Sequence, residues 1–182
     1  TPRTVLTERS KTWLNTFDAP LFLRDGRRFL WLSERDGFAH VYLCDVAGGC
    51  RPVTQGPWMV DGRVSFTGSG PGFVLHERSG FLYSTATEKD PRERHLYRVR
   101  LDGTGRTRLT REDGTHRVVV APDGRFYADT WSDVRTPSKL WVSSQDGTKR
   151  HVLEENANPP ILGFERGTLE LAEVRAKDGT TL

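Results

Sequence analysis

The stretch "SERDGFAHVYLCDVAGG" (residues 33–49) is echoed further along by "TATEKDPRERHLYRVRLDG" (residues 85–103). Each passes from small polar residues through a charged loop into a short alternating strand with an aromatic residue, and then into a glycine-bearing turn. A third version completes the pattern. The full units read "DGRRFLWLSERDGFAHVYLCDVAGGCRPVTQG" (25–56), "RSGFLYSTATEKDPRERHLYRVRLDGTGRTRLTRE" (78–112) and "DGRFYADTWSDVRTPSKLWVSSQDGTKRHVLEE" (123–155). Tyr42, Tyr97 and Trp141 match across them, 55 and 44 residues apart. Within the units, Phe29, Phe81 and Phe126 are matched as their partners, 13, 16 and 15 residues upstream.

The rest of the chain supports an all-β reading. Short alternating runs such as "GFVLHER", "HRVVVAP" and "KLWVSSQ" recur, and no run of twelve or more residues keeps a helical apolar period without a Gly, Pro or β-branched interruption. Turns are predicted at Asp25-Gly26, Gly48-Gly49, Asp102-Gly103, Asp123-Gly124 and Asp146-Gly147, because glycine tolerates the positive φ of tight hairpins. A strand-and-turn repeat of this length is the sequence signature of a β-propeller blade, with a solenoid or stacked sandwich as the competing architecture. One four-stranded sheet cannot bury both faces alone, so blades must stack. The expected fold is therefore a partial β-propeller: about three four-stranded antiparallel blades, at 13–56, 57–112 and 113–156, plus flanking strands. "FDAPLFL", "DGRVSFTG" and "HRVVVAP" are the expected innermost strands, with "RTVLTERS" and "GTLELAEVRA" as loose strands at either end. Closed propellers need roughly four to eight blades. Three blades predict an open arc or a piece of a longer protein, as do the start without Met and the stop at "AKDGTTL".

Composition narrows the function classes. Of 182 residues, 35% are hydrophobic and 28% charged, enough for a real core. The net charge of +3 is spread over scattered basic residues rather than a stripe, which argues against nucleic acid as a partner. No window approaches the roughly 18 apolar residues of a membrane span, and "TPRTVLTERS" lacks the apolar stretch of a signal peptide. Cys44 and Cys50 flank "DVAGG" and would stand nearly opposite each other on a hairpin. Either they are bridged, which suits a periplasmic or secreted protein, or they are two reduced thiols, which suits the cytoplasm.

No catalytic residue, metal site or cofactor is expected. A nucleophile elbow needs Gly two residues before and two after the serine, and no serine here has that; Ser69 in "GSGPG" has Thr67 and Pro71 at those places. The five histidines, His40, His76, His95, His116 and His151, lack zinc-site spacing. His40 and His95 occupy the same place in successive units, which suggests a structural hydrogen bond to a neighbouring blade. Glu34-Arg35-Asp36 and Glu88-Lys89-Asp90 read as matched rim loops, and Glu154 to Asn156 ("EEN") as the end of an outer strand rather than a site. Trp13, Trp31, Trp58, Trp131 and Trp141 are expected to pack between blades.

Several runs resemble a known family. "FLRDGRRFLWLSERDGFAHVYLCD", "VTQGPWMVDG", "YSTATEKDPRERHLYRV", "GTHRVVVAPDGRFYADTWSDVRTPSKLWV" and "VLEEN" are similar to the last blades of the N-terminal propeller of dipeptidyl peptidase IV-like serine peptidases, within the prolyl oligopeptidase superfamily. "ELAEVRAKDGTTL" is similar to the segment leading to the hydrolase domain, so residues 173–182 are expected to begin that linker. The resemblance implies a non-catalytic piece, 1–172, that covers a hydrolase domain of the same parent chain and gates access to it. The implied substrates are peptides with Pro or Ala in second position, and a homo-oligomer is compatible with the family. Neither a Ser-Asp-His triad nor the family's amino-terminus-binding Glu pair falls in these residues. "KTWLNTF" is similar to a segment that in some relatives brings an aromatic side chain to the edge of the substrate cavity, which makes Phe17 a candidate wall residue. Asp18 stands where some relatives have a basic residue. Relatives can bridge the Cys44 and Cys50 hairpin, although Cys44 is shifted along its strand relative to theirs. A stand-alone propeller-type binding module is the alternative reading.

Overall fold

A computed structural model describes residues 2–15, 17, 19–61, 73–157, 160–165, 167, 170 and 172–181. The described residues form twelve strands in three four-stranded antiparallel sheets, each a simple meander. The first sheet holds β1 (Leu21–Phe22), β2 (Arg28–Ser33), β3 (His40–Asp45) and β4 (Cys50–Pro52). The second holds β5 (Phe73–His76), β6 (Phe81–Ala86), β7 (His95–Arg100) and β8 (Thr107–Arg108). The third holds β9 (Thr115–Val120), β10 (Phe126–Ser132), β11 (Lys139–Ser144) and β12 (Arg150–Glu154). One short 3-10 turn follows at Pro160–Gly163. This is the partial propeller expected from the repeats. Glycines 26, 48, 49, 103, 124 and 147 all have positive φ, and Asp25, Asp123 and Asp146 accept backbone N–H groups two residues on, which fixes the turns.

Register explains how the sheets stack. In the first sheet Leu30 faces Leu43 and Leu32 faces Val41, so these four share one side. In the second, Leu82 faces Val99, and Ser84 faces Tyr97 and Phe73. The two sides meet in one apolar cluster, to which the connecting Val53, Trp58 and Val60 also belong. The opposite side of the second sheet presents Tyr83 and Leu96, which with Leu109 pack on Val118, Val120 and Tyr127 of the third. Each sheet thus covers the outgoing side of the one before it. On the third sheet the equivalent outgoing side carries Val119, Ala128, Leu140 and Val142, all half-buried, with no further sheet over them among the described residues.

Four expectations need correction. The aromatic match at β3 and its equivalents holds, since Tyr42, Tyr97 and Trp141 are all buried. The upstream phenylalanines do not correspond. Phe29 pairs with Cys44, whereas Phe81 pairs with Arg100 and Phe126 with Ser144, one step earlier in the strand. A one-residue slip turns a side chain to the other side of the sheet. Hence Phe29 is 4% exposed and Phe126 45%, and the true equivalents of Phe29 are Leu82 and Tyr127. The first strand of the second sheet among the described residues is Phe73–His76; the expected strand "DGRVSFTG" lies, all but Asp61, outside the described residues. "RTVLTERS" forms no strand within this chain, because its backbone finds no neighbour to pair with among the described residues. Among the described residues of "GTLELAEVRA" there is no strand, but an isolated bridge of Arg175 to Thr181 and a bond from Ala176 N–H to the Thr180 carbonyl. Trp13 does not pack between sheets. It is 78% exposed, because the segment around it runs outside both seams.

Candidate functional site

The residues marked for chemistry separate into three places. Phe17 is half-buried and lies against the large apolar cluster of the first seam. Just ahead of it, Trp13 Nε1 donates to Asn15 Oδ1 at 3.0 Å, and Asn15 Nδ2 donates to both carboxylate oxygens of Glu34 at 2.9 and 2.8 Å. The segment carrying Trp13 is therefore fixed to the rim loop of the first sheet. Asp18 and Ser69 lie outside the described residues.

The second place is the β3–β4 hairpin. Cys44 and Cys50 are directly opposed in register and joined in a disulfide. Cys44 is buried beside Phe29 and Tyr42, so the bridge ties the outer strand to the side of the first sheet that faces away from the second.

The third is the set of rim loops between second and third strands, where ion pairs consume the charged residues. Arg35 pairs with Glu8, and the Tyr42 hydroxyl donates to Asp36, so that burial and the Asp36 carboxylate together push the phenol well above its ordinary range. In the second sheet Glu88 pairs with Arg106, and Lys89 bridges Glu93 and Asp113. Burial drives the Glu93 carboxyl up, but bonds from His95 and Lys89 outweigh it and hold the group below its ordinary value. "EEN" lies exposed at the end of β12, where Glu155 pairs with Lys139 at 2.9 Å. None of these carboxylates is left as a free acid and base pair.

The histidines do more than their spacing suggested. His40 Nδ1 meets Thr54 Oγ1 at 3.1 Å and its Nε2 meets the Gly56 carbonyl at 3.0 Å. His95 Nδ1 meets Thr110 Oγ1 at 3.1 Å and its Nε2 meets Glu93 at 2.8 Å. These partners belong to each histidine's own blade and its exit loop. The expected bond to a neighbouring blade is replaced by ring contacts, His40 edge-on to Trp58 and His95 at 5.1 Å from His116 of the third sheet. The threonine hydroxyls also accept backbone N–H from Val41 and Leu96, both at 3.0 Å. Thr54 and Thr110 were legible only as a recurring small polar residue 14 or 15 positions after each histidine.

Sequence reasoning missed Asp129 altogether. It lies in the middle of β10, fully buried, where its Oδ2 accepts from His116 Nδ1 at 2.8 Å and from Trp141 Nε1 at 2.9 Å. The one signal was a carboxylate at an inward position of an alternating strand, "FYADTWS". A His-Asp contact invites comparison with a nucleophile relay. His116 Nε2, however, is bound to the Glu112 carbonyl at 2.8 Å, where a relay needs a hydroxyl or thiol to deprotonate. The pair ties β9 to β10 within the third sheet, and Trp141 adds β11 to the same carboxylate. His76 is half-buried against Ser79, His151 is exposed on β12, and among the described residues no cluster of His, Cys, Asp or Glu could hold a metal.

Burial pushes the imidazoles of both His40 and His95 below their ordinary value of 6.5. The unfolded chain then takes up protons near pH 6.5 that the folded chain refuses, so the stabilisation is complete above that pH and is lost as pH falls from it. Urea midpoints of the chain are expected to be level from pH 8 to 7 and to decline between pH 6.5 and 5, before ordinary carboxylates titrate. His95→Gln should flatten that decline, and an unchanged slope in the variant would refute the assignment.

Comparison with known proteins agrees with this layout. A sequence profile of the dipeptidyl peptidase IV N-terminal region matches residues 1–138. A probable dipeptidyl-aminopeptidase B of Emericella nidulans is 40% identical over 86 residues, covering 43% of this chain and 9% of that protein. Dipeptidyl peptidase 4 of Trichophyton equinum is 23% identical over 190 residues, 98% of this chain and 23% of that one. The crystal structure of Porphyromonas gingivalis dipeptidyl peptidase 4 superposes with a TM-score of 0.71 at 25% identity, over 90% of this chain and 22% of that one. The chain thus spans less than a quarter of each of these proteins. With its profile match covering most of its length and its three stacked four-stranded sheets, the chain belongs to the dipeptidyl peptidase IV N-terminal region family.

Proposed function

We propose that this chain is the non-catalytic propeller segment of a dipeptidyl peptidase IV-like serine exopeptidase, serving as scaffold and substrate gate for a hydrolase domain elsewhere in the parent. The observation that carries this reading is the stack of sheets itself. The second sheet packs on the first and the third on the second, the buried His40, His95 and His116 are held by hydrogen bonds, and the chain belongs to the N-terminal region of a peptidase family. Residues 173–182 would lead into the hydrolase domain, and residues 13–56, 57–112 and 113–156 would be three blades of the ring. Phe17 is assigned to the wall of the substrate cavity; the tethering of its segment to Glu34 supports a fixed position there. The substrates would be peptides carrying Pro or Ala in second position.

The purified 182-residue chain should show no turnover of Gly-Pro-p-nitroanilide. Release of nitroaniline at any rate above background would sink the reading. The parent reading frame should also carry a G-x-S-x-G motif within roughly 200 residues beyond Leu182.

A further inference from the structure

Residues 3–8 repeat a local arrangement that the chain uses twice elsewhere, but here half of it is missing. The sequences compare directly: "RTVLT" at 3–7 and "RTRLT" at 106–110 differ at one position. At Thr54 and Thr110 the geometry is the same in each case. The residue before the threonine donates its N–H to the third strand, Val53 to the Val41 carbonyl and Leu109 to the Leu96 carbonyl, both at 2.8 Å. The threonine hydroxyl then accepts the N–H of that strand residue and meets the Nδ1 of the histidine before it.

The other side of the segment also matches. Leu109 packs on Tyr127 of the following sheet, and Val53 joins the cluster containing Tyr97 and Leu82. Leu6 lies in the same way against Phe29, Tyr42 and Cys44. The carbonyls of Val53 and Leu109 pass close to the turn glycines Gly103 and Gly147 of the next sheet, and the Arg3 guanidinium donates to the Val46 carbonyl in the corresponding turn. Glu8 fastens the end by accepting from Trp31 Nε1 and Arg35. Yet Thr7 is exposed, and no backbone hydrogen bond of residues 3–9 is made among the described residues.

The two features travel together inside this chain. The first two sheets have both the histidine and the threonine. The third has neither, with Lys139 in the histidine's place and, one residue past Glu154 opposite Leu140, Glu155 in the threonine's, the two joined as an ion pair at 2.9 Å.

We infer that residues 3–8 are the outer strand of a further sheet, and that Thr7 clasps a strand of the pattern histidine, aliphatic residue, aromatic residue. This strand belongs to the sheet preceding the first one in the parent propeller, and its histidine lies 14 or 15 residues ahead of Thr7, as His40 and His95 lie ahead of Thr54 and Thr110. The inference rests on the propeller reading but not on peptidase activity.

A graft tests it. The twelve residues 94–105, "RHLYRVRLDGTG", are placed directly ahead of Arg3, replacing Thr1 and Pro2, which supplies the histidine strand and its turn at the native spacing. Amide hydrogen exchange at Leu6 should slow by about tenfold or more relative to the unmodified chain, with Leu109 as the internal standard. Thr7→Val in the graft should return about fivefold of that protection, in line with loss of a hydroxyl acceptor. Equal exchange at Leu6 with and without the graft would overturn the inference, as would a Thr7→Val graft that keeps full protection. Protection that appears in the unmodified chain as its concentration rises would assign the strand to a second copy and equally overturn it. Peptidase assays of the parent would be unaffected by either result, so the two readings fail separately.

Discussion

Asp129→Ala is expected to be the most damaging single substitution at the second seam, lowering unfolding free energy by about 4 kcal/mol. The carboxylate is fully buried and accepts from both His116 and Trp141, which are themselves buried. Removing it strands two donors at once, whereas an uncharged acceptor keeps part of the arrangement. Asp129→Asn should therefore cost about half as much, since its carbonyl can serve one donor while its amide faces the other. Urea unfolding followed by tryptophan fluorescence reads both, with Trp141 reporting the site. A loss below about 1 kcal/mol for the alanine variant would mean that the seam does not depend on this carboxylate.

The second large effect is expected at Leu82, whose side chain is fully buried opposite Val99 in the first seam. Leu82→Ala should cost about 3 kcal/mol, combining lost transfer energy with an unfilled cavity, and Leu82→Met less than about 1.5 kcal/mol because volume is kept. The contrast is Leu153→Ala on β12, 54% exposed, where the change should stay within about 0.5 kcal/mol. Equal costs at Leu82 and Leu153 in chemical denaturation would contradict the sheet order described above.

What the sequence disclosed follows from the kind of signal each feature leaves. The meanders were legible because alternation and Asp-Gly turns are local, and the stacking followed from a repeat too long for a single hairpin. Phe29, Phe81 and Phe126 misled because residue identity is a poorer guide than register: strand phase is set by pairing with β3 and its equivalents, a non-local fact. Trp13 misled because a large aromatic residue carries no mark of whether a partner is present to bury it. For the site, Phe17 and the cysteine pair came from resemblance and spacing. Asp129 and the two threonines act through groups more than ten residues away, so their roles appear only once strands are side by side.

The two seams differ in kind, and this sets an order of failure. The first is a broad apolar cluster drawing on two sheets and the connection between them, from Leu23 through Val60 to Val99. The second is narrower, with Tyr83, Leu96 and Leu109 against Val118, Val120 and Tyr127 and the ring of His95 beside that of His116. In a linear array where each unit touches only its neighbours, a break propagates from the weakest joint. Heat or mechanical load should therefore peel away residues 115–154 as a unit, leaving the first two sheets docked together as a residual folded body.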